Sequence, residues 1–108
     1  MSEPPEQQPT LEEAARIDPA ALEHWFKIPA DAGIILHASR VDLDALFIGL
    51  RDLTFAQGNG LAALQLWVNG DAESAQTQFA QALQKHVDAL KNITRFTSGV
   101  MAKAQVDE

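Results

Sequence analysis

Leu43, Leu46, Leu50, Leu53, Gln57, Gly60, Leu64 and Trp67 follow one another at alternating steps of three and four residues. This run constrains the chain more than any other feature. The repeat keeps one face of an α-helix in register for almost four heptads. Gly58-Asn59-Gly60 is its weak point, since each helical glycine costs about 1 kcal/mol relative to alanine. The apolar register nevertheless passes through that tripeptide without a phase shift, so a continuous helix, kinked at most, is expected. Asn69-Gly70-Asp71 then ends it: glycine suits a left-handed C-cap and aspartate the N-cap of a new helix.

A second amphipathic pattern starts at once. Phe79, Leu83, His86, Val87, Leu90, Ile93, Thr94, Phe96 and Val100 fall on one side. Ser74, Thr77, Gln81, Gln84, Lys85, Asp88, Lys91 and Arg95 fall on the other. The expected fold class is therefore all-α. Its centre is a long antiparallel helical hairpin, about Asp42–Val68 and about Asp71–Ser98, with arms roughly 40 Å long at 1.5 Å per residue.

The two arms differ. The second has one apolar and one polar side, the pattern of an outer helix. The first carries Ile48, Phe55 and Leu66 on the side away from its heptad seam, and its polar strip is limited to Asp44, Arg51, Asp52 and Gln65. A helix that is apolar nearly all round is buried on more than one side. One hairpin is too thin to do that, so the expectation is a dimeric four-helix bundle. Gly49, Ala56 and Ala63 recur every seven residues on the first arm, as do Ala75, Ala82 and Ala89 on the second. Small stripes of this kind let helix axes approach closely. Gly49 in particular is unfavourable inside a helix unless close approach compensates.

Upstream of the hairpin domain (41–103), residues 1–9 read as a disordered acidic, Pro-rich tail, with Pro4, Pro5, Pro9, Glu3 and Glu6 and almost nothing to bury. Residues 10–40 read as a short helix and connector. Thr10 and Glu13 have capping-box spacing. Asp18-Pro19 supplies an N-cap with proline at the first helical position. Leu22, Trp25 and Phe26 then form the apolar face of a short amphipathic helix, which Pro29 ends near Ile28. The run Ile34-Ile35-Leu36 is too brief for periodicity to classify. With no second strand to pair with, it is expected as a buried connector or helical turn. Ser39 or Asp42 caps the next helix, Gly99 is expected to fray the end of the last one, and 104–108 is expected as a disordered tail.

Composition narrows the function. A chain of 108 residues, 46% of them hydrophobic, holds one domain with one modest core. It contains no cysteine, which removes disulfides and thiolate chemistry together. A formal net charge of −7 repels a phosphate backbone, so no direct nucleic-acid binding is expected. The carboxylates are scattered, unlike an acidic mimic of nucleic acid. The N-terminal segment has neither the basic nor the apolar region of a signal peptide, and no apolar stretch reaches the roughly 20 residues of a membrane span. A cytoplasmic location with no membrane attachment is expected.

Candidate chemistry is thin. His24, His37 and His86 lack zinc-like spacing. His86 lies at an apolar seam position, where a core or interface histidine fits better than a pH-responsive switch. Asp42 and Asp44 stand two apart on a helix and point away from each other, so they suit the helix N-terminus better than a metal. Gly58-Asn59-Gly60 lacks the strand and Gly-Lys-Ser/Thr of a phosphate loop, and neither Ser39 nor Ser98 sits in a nucleophile elbow. No enzyme activity, cofactor or metal is expected.

What remains is an apolar surplus. Trp25 suits an interface as readily as a core, and Trp67 suits the bundle core. The candidate residues for partner binding or dimerisation are Trp25, Phe26, Phe47, Ile48, Phe55, Leu66, Trp67, Phe79 and His86. The expected function is a non-enzymatic regulatory protein that forms a homodimer and binds another protein. An antiactivator sequestering a transcription regulator, of the quorum-sensing type for example, fits this description. A small acidic secretion or assembly chaperone is the alternative.

Overall fold

The computed structural model describes residues 10–107. The tail expected over residues 1–9 lies outside them. The short leading elements form where the sequence caps them. Thr10 accepts from the Glu13 amide at 3.1 Å and opens α1 (Leu11–Ala14). Asp18 accepts from the Ala20 amide at 3.1 Å and opens α2 (Pro19–Phe26), with Pro19 at the first position. Helix α2 stops two residues short of Ile28, Lys27 forming its C-cap.

Helix α3 (Arg40–Val68) starts from a complete capping box. The Ser39 hydroxyl accepts from the Asp42 amide at 3.2 Å, and the Asp42 carboxylate accepts from the Ser39 amide at 3.0 Å. The helix runs for 29 residues, straight through Gly58-Asn59-Gly60. It closes in a Schellman motif. The Asp71 amide donates to the Leu66 carbonyl at 2.9 Å and the Gly70 amide to that of Trp67 at 3.1 Å. Gly70 takes the left-handed conformation this requires, at φ +87°. Asp71 then caps α4 (Ala72–Lys103), accepting from the Ser74 amide at 3.1 Å. Helix α4 continues through Gly99, where fraying was expected, because that segment is held by α3. A side chain at Gly99 would lie 3.3 Å from the Asp42 carboxylate, which is itself bound by Lys103 at 2.8 Å.

Two helices of this length side by side make the hairpin, and small residues make its contact line. Ala45, Gly49, Ala56 and Ala63 of α3 are buried against α4, whose Ala75 and Ala89 are buried in turn. At Gly49 the approach is closest: an added Cβ would stand 2.6 Å from Ile93 Cγ1 and 3.1 Å from the Ala89 carbonyl oxygen. No large side chain is fully buried among the described residues. The leucine heptad therefore runs beside the contact line rather than along it. Trp67, expected in the bundle core, is 62% exposed. Asp52, expected on the solvated strip, sits on the contact line instead, only 6% exposed, with Arg51 Nη2 3.5 Å from its carboxylate.

The order of layers also differs from expectation. The short helices α1 and α2 pack on α4, not on α3. The Asp18 amide donates to Ser98 Oγ at 3.1 Å, and Leu11 lies over Ala80, Leu83 and Val87 of α4. Helix α4 is consequently the middle layer and α3 the outer one. The reason lies in Val87, Ala80 and Ser98, which give α4 a second packing strip on the side opposite α3.

The connector and the chain end meet. Ile34–Ile35 forms β1 and Gln105–Val106 forms β2, an antiparallel pair in the register Ile34↔Val106 and Ile35↔Gln105. The Asp107 amide extends it by donating to the Gly33 carbonyl at 2.9 Å. The expected buried connector is thus an exposed two-residue strand, and residues expected as a tail supply its partner. Ala104, just before β2, is buried.

Candidate functional site

Helical geometry decides which α3 side chains stay uncovered. At about 100° per residue, Leu43, Leu50, Leu61 and Leu64 fall to one flank of the alanine contact line. Ile48, Phe55 and Leu66 fall to the other. Six of these seven are exposed and Leu66 is half-buried. Among the described residues only α4 covers α3, and both flanks of α3 are left open by them. A contact line of alanines accounts for this. It draws the two backbones together, so that the long side chains on either side project past the neighbouring helix instead of between the two.

The flanks differ chemically because α4 borders them differently. On the leucine flank α4 contributes Phe79 and Leu83, both exposed, with His86 and Leu90 half-buried between them and α3. Gln57, Gly60, Leu61, Leu64 and Phe79 line a groove of about 480 Å³ there. No Asp, Glu, Lys or Arg falls on this flank between Leu43 and Val68 or between Ala72 and Met101. The second flank has Ile48, Phe55 and Leu66 on α3 but Lys85, Asp88 and Asn92 on α4. Beside it Asp52, Asp88, Lys91, Asn92 and Arg95 line a polar cleft of about 490 Å³. Asp88 is held within α4, accepting from Gln84 Nε2 at 3.0 Å.

The sequence candidates therefore divide. Ile48, Phe55 and Leu66 lie together on the second flank, and Phe79 and His86 lie on the first. Phe47, exposed, points away from α4 between the two. Trp25 is half-buried in α2, whereas Phe26 beside it is 77% exposed, and neither touches α3. Trp67 sits at the turn end of the hairpin. Leu50, Leu61, Leu64 and Leu83 were absent from the candidates although exposed. Their signal was the heptad itself, which sequence reasoning assigns to a core before it assigns it to a surface.

Polar groups with a defined geometry serve the fold. His24 Nε2 donates to the Ala104 carbonyl at 2.7 Å, and His37 Nε2 lies 3.3 Å from the Gln105 side-chain oxygen. Both histidines tie the chain end to the body. The Lys103 ammonium and the Ser39 backbone amide hold the Asp42 carboxyl down at about 2. Among the described residues, no group of three or more His, Asp or Glu side chains is placed to share a metal ion, and no helix is long and apolar enough to cross a membrane. No protein-family model, curated protein or solved structure matches the chain. Its own surface is the ground for a functional reading.

Proposed function

We propose that this chain is a non-enzymatic protein-binding regulator that acts as a homodimeric four-helix bundle and sequesters a second protein along α3. The observation that carries the reading is the exposure of Leu50, Leu61, Leu64, Ile48 and Phe55 on one helix. Exposed apolar surface of this extent, spread over both flanks of one helix of a small chain, marks an interaction site. A net charge of −7 keeps such a chain soluble and turns nucleic acid away, which suits a protein that acts on a regulator rather than on DNA. A transcription regulator whose own dimerisation or activation helix is apolar is the fitting client, and withholding that helix is antiactivation. A cytoplasmic setting goes with this reading.

The test is affinity capture in which the purified chain and its Phe55→Lys variant are compared, with captured proteins identified and each interaction remeasured with pure components. Phe55 is 54% exposed, so lysine there leaves the fold intact while placing a charge in the contact. A transcription regulator bound by the parent and weakened at least tenfold by Phe55→Lys is expected. Specific partners that all bind the variant unchanged would overturn α3 as the client surface. A secreted client in place of a regulator would favour the chaperone alternative.

A further inference from the structure

We propose that the uncharged flank formed by Leu43, Leu50, Leu61, Leu64, Phe79 and Leu83 is the surface that receives a second copy of this chain, leaving the Ile48/Phe55/Leu66 flank free for a client. The inference rests on the dimeric bundle proposed above and assigns the face that closes it.

Charge is the first argument. Each copy carries −7, so two copies repel one another wherever carboxylates oppose within the roughly 8 Å screening length at physiological salt. Along α3 and α4 the leucine flank has no ionised side chain, and Glu12 of α1 stands only at its margin, beside Leu83, so stacking two such flanks opposes no carboxylates along the two long helices. The second flank places Lys85 and Asp88 at its edge. A copy docked there would strip water from those charges, a cost that pairing Lys85 with Asp88 across a twofold would at best offset.

Shape is the second. A twofold interface uses the same patch on both copies, so the patch must complement itself. On the leucine flank both helices are apolar, and two hairpins stacked through it give a two-layer, four-helix bundle with a core of leucine and phenylalanine. On the second flank the exposed apolar side chains belong to α3, with Phe96 of α4 half-buried beneath them, a ridge that suits one helix of another protein. The groove between Leu61, Leu64 and Phe79 gives the opposing copy's leucines somewhere to enter.

Area is the third. Six side chains roughly half exposed offer on the order of 600 Å² per copy, hence about 1,200 Å² for the pair, where stable interfaces begin. Phe47 and Val68 at the margins, both exposed, add to it.

Two measurements on the full chain decide the assignment. The first is light-scattering mass at about 100 μM for the parent, for Leu61→Lys/Leu64→Lys, and for Phe55→Lys, with helical content checked by circular dichroism. Leu61 and Leu64 are 68% and 52% exposed, so both lysines are accommodated in the folded monomer. The parent and Phe55→Lys are expected at twice 11.8 kDa and the double variant at 11.8 kDa. The second exploits the absence of cysteine. Leu64→Cys and Phe55→Cys are each alkylated with iodoacetamide at high and low protein concentration. At least tenfold protection on concentration is expected for the thiol at 64 and none for the one at 55. A dimer that survives the two lysines and is broken by Phe55→Lys, with protection at 55 instead of 64, would overturn the face assignment while sparing the bundle. A parent chain monomeric at 100 μM would overturn the bundle itself.

Discussion

Replacing Gly49 by alanine isolates the close approach of the two long helices. Two effects oppose each other at this position. Alanine is the better helix former by about 1 kcal/mol, and that gain would be expressed in full on an open helix surface. At Gly49 the new methyl group meets Ile93 Cγ1 at 2.6 Å, the Ala89 carbonyl oxygen at 3.1 Å and the Ile93 amide nitrogen at 3.2 Å. Ile93 can change rotamer, but the other two atoms are backbone and yield only if α4 moves away. Overpacking of this kind costs about 1–3 kcal/mol. The net expectation for Gly49→Ala is destabilisation by about 1 kcal/mol, with up to about 2 at the upper end of that range. Gly58→Ala is the matched control, because no atom lies within 4 Å of a methyl group built there. It should stabilise by up to about 1 kcal/mol. Urea titration followed by far-ultraviolet circular dichroism, with all variants at one protein concentration, gives both values. In heating scans the two variants should melt on the order of 10 °C apart. If Gly49→Ala proved as stable as Gly58→Ala, the tight alanine contact line would be wrong.

Gly70→Ala should destabilise by about 1–2 kcal/mol in the same titration, because φ +87° is a left-handed conformation that a Cβ disfavours. Nothing crowds the position, so Gly70→Asn should recover part of the loss. Acid titration tests Asp42. Its folded pKa of about 2 lies below the ordinary 3.8, so its contribution is fully present above about pH 4 and fades as pH falls through about 2. The parent's urea midpoint should drop across that window more steeply than that of Asp42→Asn. Lys103→Met should flatten the same limb, since Lys103 is the largest cause of the shift.

The hairpin, its turn and its caps were readable because each has a local cause. Ser39, Asp42, Gly70 and Asp71 act on backbone groups within a few residues of themselves, and the heptad register carries α3 across its glycines. The small-residue stripes were readable too, and Gly49 has the neighbour that its presence implied. Their consequence was not. That alanines would hold the contact line while the leucines stood outside follows from the distance between two axes, which no single helix encodes. The layer order was hidden for a similar reason: Val87 and Ser98 become packing positions only once α1 and α2 have a direction. The β1–β2 pair leaves no periodic trace, being two residues on each side separated by both long helices. Of the surface, Ile48 and Phe55 were legible as apolar residues on an unexpected side. Leu61 and Leu64 were hidden by belonging to the most regular pattern in the chain.

The pairing of Ile34 with Val106 makes the chain from connector to terminus a closed ring, covalent along its length and hydrogen-bonded at its seam. Both long helices lie inside that ring. The seam is reinforced from nearby by His24 on Ala104, His37 beside Gln105 and Lys103 on Asp42. At the far end the loop at Gly70 is covalent. Neither end of the hairpin is therefore free to peel, and the arms cannot swing apart as a hinge without first undoing the seam. On the proposed reading, a client docking on α3 meets two helices tied to each other at both ends.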